Sequence, residues 1–403
     1  MQLSELRASW LPQVEKEVKD NILGFWLKYT VDSKNGGFLG EIRSDLTLVE
    51  DAEKALVLNT RILWTFSSAY RIFGDAAYLE AAHRAYAYLT AHFTDREHGG
   101  LFWSVDAQGR PAQTKKQVYG QAFAIYAYSE YYRAAAVPEA LEKAVELFHL
   151  LEKHSFDPVH QGYVEALSRS WEDTDDFSLS GKDLNEKKSM NTHLHVMEAY
   201  TNLYRVNPTE ELGRQLKGLI EVTLKHIVDE SSAHFLLFFD EAWNSKSDHV
   251  SYGHDIEGSW LLVEAAEVLG DPALLEQVKI TALRMAEATY REGIDEDGGL
   301  WNEADGKGNL LDADKDWWPQ AESVVGFFNA YQLTGEEKYL SAALASWTFI
   351  ENHLIDREHG EWYWGVTRDR EPITAQSKVS AWKCPYHNGR ACFEIIERLH
   401  HTV

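Results

Sequence analysis

The sequence is poor in the features that define several large classes of protein. Cysteine occurs only twice in 403 residues, at Cys384 and Cys392, which excludes a disulfide framework. Proline is also scarce, and no Pro/Gly/Ser-rich linker or low-complexity tract interrupts the chain. Residues 1–403 are therefore expected to form a single domain. No apolar run approaches the roughly 18 residues that a membrane-spanning helix needs.

Positive charge is scarce as well. Lysine and arginine number 39 against 64 aspartate and glutamate residues, which gives a net charge of -25. This balance argues against nucleic acid and anionic membrane as partners, because both require basic surfaces, and it favours an uncharged substrate. The first residues, MQLSEL, lack the basic and apolar segments of a secretory leader. We therefore expect a soluble, cytoplasmic protein, and a monomer.

Sequence motifs for metals and cofactors are missing too. There is no HExxH, CxxC, Walker, dinucleotide-binding or GxSxG motif. His193 and His195 form a His-x-His pair, which chelates a metal well on a strand. On a helix the two side chains diverge by about 200°, and we interpret this segment as helical. No metal and no cofactor are expected.

The feature that is present is a long repeat. Six helix-like segments begin at intervals of 63 to 73 residues, near Ala55, Val118, Asn191, His254, Trp317 and Pro385. A fixed period indicates a stack or ring of one supersecondary unit. Six units of two helices each predict an all-α ring of twelve helices in two layers, an (α/α)6 barrel. With these segments inside, their first turns would meet at one mouth of the ring.

The stretches between the helices repeat as well. They read DSKNGGF at 32–38, DREHGGLFW at 95–103, DEDGGLW at 295–301 and DREHGEWYW at 356–364, with a weaker copy at 157–163. Asp and Gly favour a turn, and the aromatic alternation after it predicts a short strand. Each unit is thus expected to be helix, turn, short hairpin and helix. The copy at 229–235 lacks glycine, so the fourth unit is the weakest match.

Polar residues gather in the first turns of the proposed inner helices. His254 and Glu257 are three residues apart and share a helix face, and His387 opens the last unit. Two histidines on opposite sides of a ring suit a two-base reaction, in which one removes a proton beside a carbonyl and the other returns one to the opposite face. Arg61 and a protonated His195 would stabilise the enediolate oxygens.

Aromatic residues are abundant, with 14 Trp, 19 Tyr and 17 Phe. Trp317 and Trp382 lie where the mouth is expected, and their flat faces suit stacking on sugar rings. Trp103, Trp362 and Trp364 fall in the predicted hairpin strands, where packing is the simpler interpretation.

Five motifs resemble those of the N-acylglucosamine 2-epimerase superfamily: NTR at 59–61, NTHLH at 191–195, GHDIE at 253–257, DWWPQAE at 316–322 and WKCPYH at 382–387. The resemblance covers the full length. It implies an (α/α)6 barrel and cofactor-free epimerisation at C2 of a sugar. Within the superfamily the motifs are most similar to enzymes that act on the reducing-end glucose of β-1,4-linked disaccharides such as cellobiose and lactose. Mannobiose is a further β-1,4-linked disaccharide that the resemblance implies as a substrate.

The resemblance also implies residue roles. His254 and His387 look like the acid/base pair, with Glu257 as partner of the first, and Arg61 and His195 resemble the contacts to the reacting oxygens. The residues similar to the family's substrate-binding groups are Tyr119, Asp183, Asn191, Trp317, Trp382 and Glu322.

Three alternatives stay open at this point. Mannose isomerases and N-acylglucosamine 2-epimerases share the barrel and both histidines but act on monosaccharides. Inverting glycoside hydrolases use six-fold helical barrels with paired carboxylates, which Asp255, Glu257, Asp183 or Glu322 would have to supply. A non-catalytic oligosaccharide-binding protein is the third alternative.

Overall fold

Helices in an inner and an outer layer dominate the computed structural model, which describes residues 3–181 and 183–401. In chain order the α-helices are α1 (Leu3–Ser9), α2 (Leu11–Lys16), α3 (Gly24–Tyr29), α4 (Leu56–Phe73), α5 (Ala76–Tyr88), α6 (Val118–Ala135), α7 (Pro138–His154), α8 (Met190–Val206), α9 (Glu210–Val222), α10 (Tyr252–Leu269), α11 (Pro272–Glu292), α12 (Trp317–Thr334), α13 (Glu337–Phe349) and α14 (Tyr386–His401). π-Helical segments extend the outer layer at Glu17–Leu23, Leu89–Phe93, Thr223–Ile227 and Ile350–Leu354. None of these helices is long and apolar enough to span a membrane.

The inner layer is a closed ring of six helices. Helices α4, α6, α8, α10, α12 and α14 each pack on the next, and α14 packs back on α4. The outer helices α5, α7, α9, α11 and α13 pack on the inner helix that precedes them, and the segment from α1 to α3 covers α14. The predicted (α/α)6 barrel is confirmed, with all six proposed segments in the inner layer.

The burial of each helix follows from its sequence. In α6 the side chains from Val118 to Tyr131 are all buried, because this segment is apolar or small on every side. In α9 a single stripe that includes Leu212, Leu216 and Leu219 is buried, while Glu210 and Glu211 face solvent. A helix that is apolar all round belongs inside the ring, and an amphipathic one covers it.

Short antiparallel strands lie where the chain enters the inner helices. They are β1 (Lys54–Ala55), β2 (Ser104–Val105), β3 (Pro111–Gln113), β4 (Lys116–Gln117), β5 (Ala166–Leu167), β6 (Lys188–Ser189), β7 (Phe238–Phe239), β8 (His249–Ser251), β9 (Glu303–Asp305), β10 (Leu310–Asp312), β11 (Lys315–Asp316) and β12 (Gly365–Val366). β2 pairs with β3 and β9 with β10 as hairpins. The other pairs join neighbouring units, because β1, β4, β6, β8 and β11 each pair with the strand that follows the next turn. The bridge between Ile42 and Val379 connects the last unit to the first.

The repeated turns are present in all six units, including the fourth. Each is closed by an antiparallel bridge, which in the fourth joins Val228 and Phe235. The residue two positions before the second bridge partner has a positive φ in every unit, and it is glycine in four of them. Gln161 and Ala233 adopt this conformation in the other two, with φ of 65° and 62°. The left-handed region costs an L-residue about 1 kcal/mol, which the closed turn tolerates.

Buried lysines fix the turns to the starts of the inner helices. Lys54 donates to Asp32 at 2.7 Å, and Lys116 donates to Asp95 at 2.9 Å. The same pairing recurs between Lys188 and Asp157, Lys315 and Asp295, and Lys378 and Asp356. In the fourth unit Val250 occupies the lysine position before the helix, and His234 forms the link instead. Its Nδ1 contacts Asp255 at 2.7 Å and its Nε2 contacts Glu292 at 3.0 Å. These contacts hold the helix starts in place around the mouth.

Candidate active site

A cavity of about 380 Å³ opens at the N-terminal ends of the inner helices. Ten of the eleven site residues expected from the sequence line it, and Glu322 lies behind the wall. The lining consists of Arg61, Tyr119, Leu179, Ser180, Gly181, Asp183, Asn191, His195, His254, Glu257, Trp317, Trp318, Trp364, Gln376, Trp382 and His387. All six inner helices contribute, so residues scattered along the chain meet in one place.

His254 is held by a serine. Its Nδ1 lies 2.8 Å from Oγ of Ser251, the residue that precedes α10. This hydrogen bond leaves Nε2 as the ring nitrogen available to a ligand. Burial lowers the pKa of His254 to about 3, so the ring is neutral near neutral pH. The pairing with Glu257 that the sequence suggested is absent from the described contacts, in which Glu257 accepts a hydrogen bond from Arg390 instead.

His387 is held by a carboxylate. Its Nδ1 donates to Oε1 of Glu322 at 2.7 Å, which again leaves Nε2 for a ligand. Burial and the nearby guanidinium groups lower the pKa of His387 well below its ordinary value. Glu322 thus positions a histidine from behind the cavity, whereas the sequence suggested contact with substrate. Trp318 packs against both rings, with centroids 4.6 Å from His254 and 5.6 Å from His387.

The two histidines of the NTHLH motif face different environments. His193 donates from Nδ1 to the carbonyl of Ser189 at 2.7 Å and accepts the Tyr163 N–H at Nε2, so it holds the turn beside α8. His195 points into the cavity. The divergence of the pair on a helix is therefore observed, and the two imidazoles cannot share one metal ion.

The protonation state of His195 differs from the expectation. Its Nδ1 donates to Oε2 of Glu198 at 2.8 Å, and burial lowers the pKa of the imidazole despite this carboxylate. A neutral ring with its proton on Nδ1 presents Nε2 as an acceptor. His195 can therefore accept a hydrogen bond from a substrate hydroxyl, and the donors to a developing oxyanion must come from elsewhere.

Arg61 and Tyr119 supply such donors. Nη2 of Arg61 donates to the phenol oxygen of Tyr119 at 2.8 Å, which leaves the phenol O–H free to donate into the cavity. The guanidinium also lies over the rings of Phe123 at 4.4 Å and Tyr386 at 4.9 Å. Among residues 3–181 and 183–401, no carboxylate forms an ion pair with Arg61, although its side chain is buried. The site therefore holds a positive charge that can stabilise an anionic intermediate.

Arg390 organises the floor of the cavity. Its Nη1 donates to Glu198 and to the Tyr386 hydroxyl, and its Nη2 donates to Glu257 at 2.5 Å and Glu322 at 2.6 Å. Arg390 was not among the site residues expected from the sequence. Glu198 was missed, although its position three residues after His195 was a usable signal.

One group of side chains has the geometry of a metal site. Atoms of Glu257, Glu322 and His387 lie within 4.8 Å of one another. Nη2 of Arg390 already donates to both carboxylates, so a guanidinium supplies the positive charge between them. This arrangement leaves little reason for a cation to bind there.

The aromatic walls are more extensive than the sequence indicated. Trp317 and Trp382 line the cavity as expected, and Trp318 and Trp364 join them. Trp364 was expected to pack in a hairpin. It lies immediately before β12, and its ring lines the cavity and stands edge-on to that of Trp317, with the centroids 4.8 Å apart. Trp362 does pack in the core, where it is fully buried and donates to Glu17.

The segment around Asp183 borders a second cavity of about 310 Å³. This cavity shares Asp183, Asn191 and His254 with the first, and it extends towards Glu303 and Asp312. Burial raises the pKa of Asp183, whose Oδ2 accepts hydrogen bonds from Ser180 N and Oγ. The two cavities therefore adjoin one another next to His254.

A larger cavity, about 560 Å³, lies at the opposite end of the barrel, where the inner helices end. Arginines and glutamates line it, and they pair with one another, as in Arg71 with Glu130 and Arg205 with Glu264. None of its described lining residues is a histidine. We therefore place the chemistry at the mouth with the paired histidines.

Comparison with known proteins identifies the family of the chain. The family model for N-acylglucosamine 2-epimerase matches residues 37–391. The chain therefore belongs to the N-acylglucosamine 2-epimerase family and is a carbohydrate 2-epimerase, as the motifs predicted.

Individual relatives cover almost the whole chain. It is 47% identical to cellobiose 2-epimerase of Bacteroides fragilis, over 95% of this chain and 98% of the relative. It is 42% identical to cellobiose 2-epimerase of Ruminococcus albus, over 96% and 98%. The crystal structure of cellobiose 2-epimerase from Bacillus thermoamylovorans superposes with a TM-score of 0.92 at 40% identity, covering 97% of this chain and 100% of that one.

Proposed function

We propose that the protein epimerises C2 of the reducing-end glucose of β-1,4-linked disaccharides, turning cellobiose into glucosyl-mannose and lactose into epilactose, with mannobiose as a further substrate. The observation that carries the proposal is the pair His254 and His387 in one cavity. Each ring has its Nδ1 engaged by a protein group and its Nε2 free, and Trp318 contacts both.

The reaction follows from this arrangement. Once the sugar ring is open, one histidine removes the C2 proton at Nε2, and the electron pair forms an enediolate across C1 and C2. The other histidine, which has taken up a proton beforehand, delivers it to the opposite face of C2. Arg61 and the Tyr119 hydroxyl stabilise the anionic oxygens, and His195 accepts a hydroxyl hydrogen bond. General acid–base groups of this kind contribute about 10²–10⁴-fold each.

Space and aromatic faces support a disaccharide. Trp317, Trp318, Trp364 and Trp382 offer several ring platforms, whereas a monosaccharide needs only one. The second cavity, which borders the first at Asp183 and Asn191, provides room for a second sugar. The names of the relatives support the same substrate class.

A hydrolytic function is less well supported. Asp255 bonds to His234 and to the Phe235 N–H, away from the cavity, and Glu322 is engaged by His387. Among the described cavity-lining residues, Asp183 and Glu257 are the carboxylates that remain for a hydrolytic pair. We also propose that the chain forms a single catalytic domain that needs no metal. The protein is cytoplasmic and works as a monomer in this proposal.

The test is incubation of the protein, dialysed against EDTA, in D2O with cellobiose, lactose, mannose and N-acetylglucosamine separately, followed by NMR. We expect the disaccharides to yield their C2 epimers with deuterium at C2. Release of monosaccharides would indicate a hydrolase, and turnover of mannose or N-acetylglucosamine alone would indicate the monosaccharide alternatives. Activity that returns only after a divalent cation is added would contradict the metal-free mechanism.

A further inference from the structure

Three buried carboxylates converge on one guanidinium beneath the cavity. Arg390 donates to Glu198, Glu257 and Glu322, and each of these side chains is almost fully buried. A single positive charge cannot balance three negative charges in such a place, because an uncompensated buried charge costs several kcal/mol. When carboxylates share a site, at least one retains its proton.

The hydrogen bonds that Glu198 accepts favour its ionised form. Its Oε2 accepts a hydrogen bond from His195, and its Oε1 accepts from Tyr386 and from Arg390. Hydrogen bonds to a carboxylate favour its charged form. Although burial opposes ionisation, the charge of Arg390 and these donors lower the pKa of Glu198 to about 2.

Glu322 is similarly supplied with donors. Its Oε1 accepts from His387 at 2.7 Å and from Arg390 at 2.6 Å, and its Oε2 accepts from the indole N–H of Trp260 at 3.0 Å. Both oxygens therefore act as acceptors, which a carboxylate satisfies better than a carboxylic acid does.

Glu257 has the fewest donors of the three. Its Oε1 accepts from Arg390, and its Oε2 is buried with no hydrogen-bond partner within residues 3–181 and 183–401. The side chain lines the cavity. We propose that Glu257 is the protonated member of the cluster and that its Oε2–H donates a hydrogen bond to a substrate oxygen. The second half of this inference depends on the proposed function.

The surroundings of Glu257, taken together, favour its neutral form. It faces Arg390 and His387 on α14, Glu322 on α12, Glu198 on α8 and Tyr119 on α6. Burial and then the charge of Glu322 raise its pKa to about 8, while Arg390 acts in the opposite direction. A neutral donor at this position adds to the hydrogen bonds available to an enediolate without adding negative charge beside it.

Isosteric variants test the proposal. Glutamine copies a protonated glutamate, with a carbonyl oxygen facing Arg390 and an N–H donor facing the cavity. Glu257→Gln should lower kcat/KM for cellobiose by less than about tenfold, whereas Glu257→Ala should lower it by about a hundredfold or more. Glu322→Gln is the matched control, and it should lose about a hundredfold because an amide cannot accept at both positions.

The pH profile gives a second kinetic readout. In the unmodified protein, kcat/KM should fall above about pH 8 as Glu257 loses its proton, and Glu257→Gln should lack this alkaline limb. The proposal is wrong if Glu257→Gln is folded by melting temperature yet as impaired as Glu257→Ala, or if it keeps the limb unchanged.

Infrared difference spectroscopy of the free protein separates this inference from the proposed function. Compared with Glu257→Gln, the unmodified protein should show an additional protonated carboxyl band at about pH 6, and this band should disappear as the pH rises past about 8. Observation of that band in a protein that does not epimerise cellobiose would overturn the function and keep the protonation state. Its absence in an active enzyme would overturn the protonation state alone.

Discussion

Arg61 and Tyr119 form a hydrogen-bonded pair at the wall of the cavity, with 2.8 Å between Nη2 and the phenol oxygen. Because the guanidinium donates to this oxygen, the Tyr119 hydroxyl becomes a donor aimed away from Arg61. A buried arginine that no described carboxylate neutralises is costly unless an anion arrives during the reaction. The pair is therefore suited to an enediolate rather than to a neutral ground state.

Removal of the phenol hydroxyl tests this role. Tyr119→Phe should lower kcat by about 10²-fold, the usual effect of losing one oxyanion donor, with a smaller change in KM. The measurement is steady-state epimerisation of cellobiose, with melting temperature as the check on folding. A change confined to KM would mean that Tyr119 only binds the substrate.

Isotope exchange should distinguish the roles of the two histidines. His254→Asn and His387→Asn should each lose net epimerisation by at least about 10²-fold, because each removes one acid/base group. A variant that keeps one base can still exchange the C2 hydrogen on its own face. We expect one variant to incorporate deuterium into the glucose-ended sugar and the other into the mannose-ended sugar, as measured by NMR in D2O. Near-normal epimerisation by either folded variant is incompatible with the two-histidine mechanism.

Arg390 should be irreplaceable by lysine. Arg390→Lys keeps the charge but cannot direct parallel N–H groups to three carboxylates. We expect a loss of about 3–5 kcal/mol in the free energy of unfolding, the usual effect of breaking a buried ionic cluster, together with loss of activity. Arg205→Lys, at the half-buried pair with Glu264, should cost about 1 kcal/mol or less in the same denaturant titration. Equal losses would argue against the special role of Arg390.

Two tryptophans should separate binding from packing. Trp382 is half-buried and lines the cavity, whereas Trp362 is fully buried. Trp382→Ala should reduce kcat/KM for cellobiose by about tenfold, which corresponds to about 1.5 kcal/mol of lost stacking. Trp362→Ala should instead lower stability by about 3–5 kcal/mol. If both substitutions lower the melting temperature by the same amount and Trp382→Ala keeps normal kinetics, Trp382 is a packing residue.

The fourth unit should make the barrel less stable at alkaline pH. Burial disfavours the charged form of His234, but the hydrogen bonds that the imidazole donates to Asp255 and Glu292 raise its pKa to about 9. Since the folded pKa exceeds the ordinary value of about 6.5, this stabilisation is complete below that pH and is lost as the pH rises through 9.

Denaturant titrations check this prediction. Between about pH 7 and pH 10, the free energy of unfolding of the unmodified protein should fall by about 1–2 kcal/mol more than that of His234→Gln. This difference is reduced to allow for the partial exposure of the imidazole. Parallel pH dependences in the two proteins would show that the link is not titrating in this range.

The ring could be predicted from the sequence because its turns and helices recur at similar intervals along the chain. Repeated Asp–Gly turns and apolar segments of constant spacing specify helices and their order, and Asn191 and His195 share a face by helix geometry alone. The pairing of each strand with the next unit was not predictable, because two-residue strands carry no register information. The π-helical segments have no clear sequence pattern either.

Within the site, residue types were easier to predict than partners. His254 and His387 were identified by equivalent positions in two units. The protein groups that hold their Nδ1 atoms could not be predicted. The partner of His387 is 65 residues away in the sequence, and the partner of His254 is the serine that precedes α10. Trp364 was assigned to packing because strand alternation cannot say which face borders a cavity.

The contact between α14 and α4 has a consequence for how the enzyme matures. Helix α14 follows the other five inner helices in the chain, and it carries both His387 and the arginine that gathers the three carboxylates. Until it docks, the first five inner helices form an open arc with three acidic side chains left without their common cation. We therefore expect a nascent chain that has not yet reached residue 386 to lack one of the two histidines and the cation of the carboxylate cluster, so that the site is completed only when α14 docks.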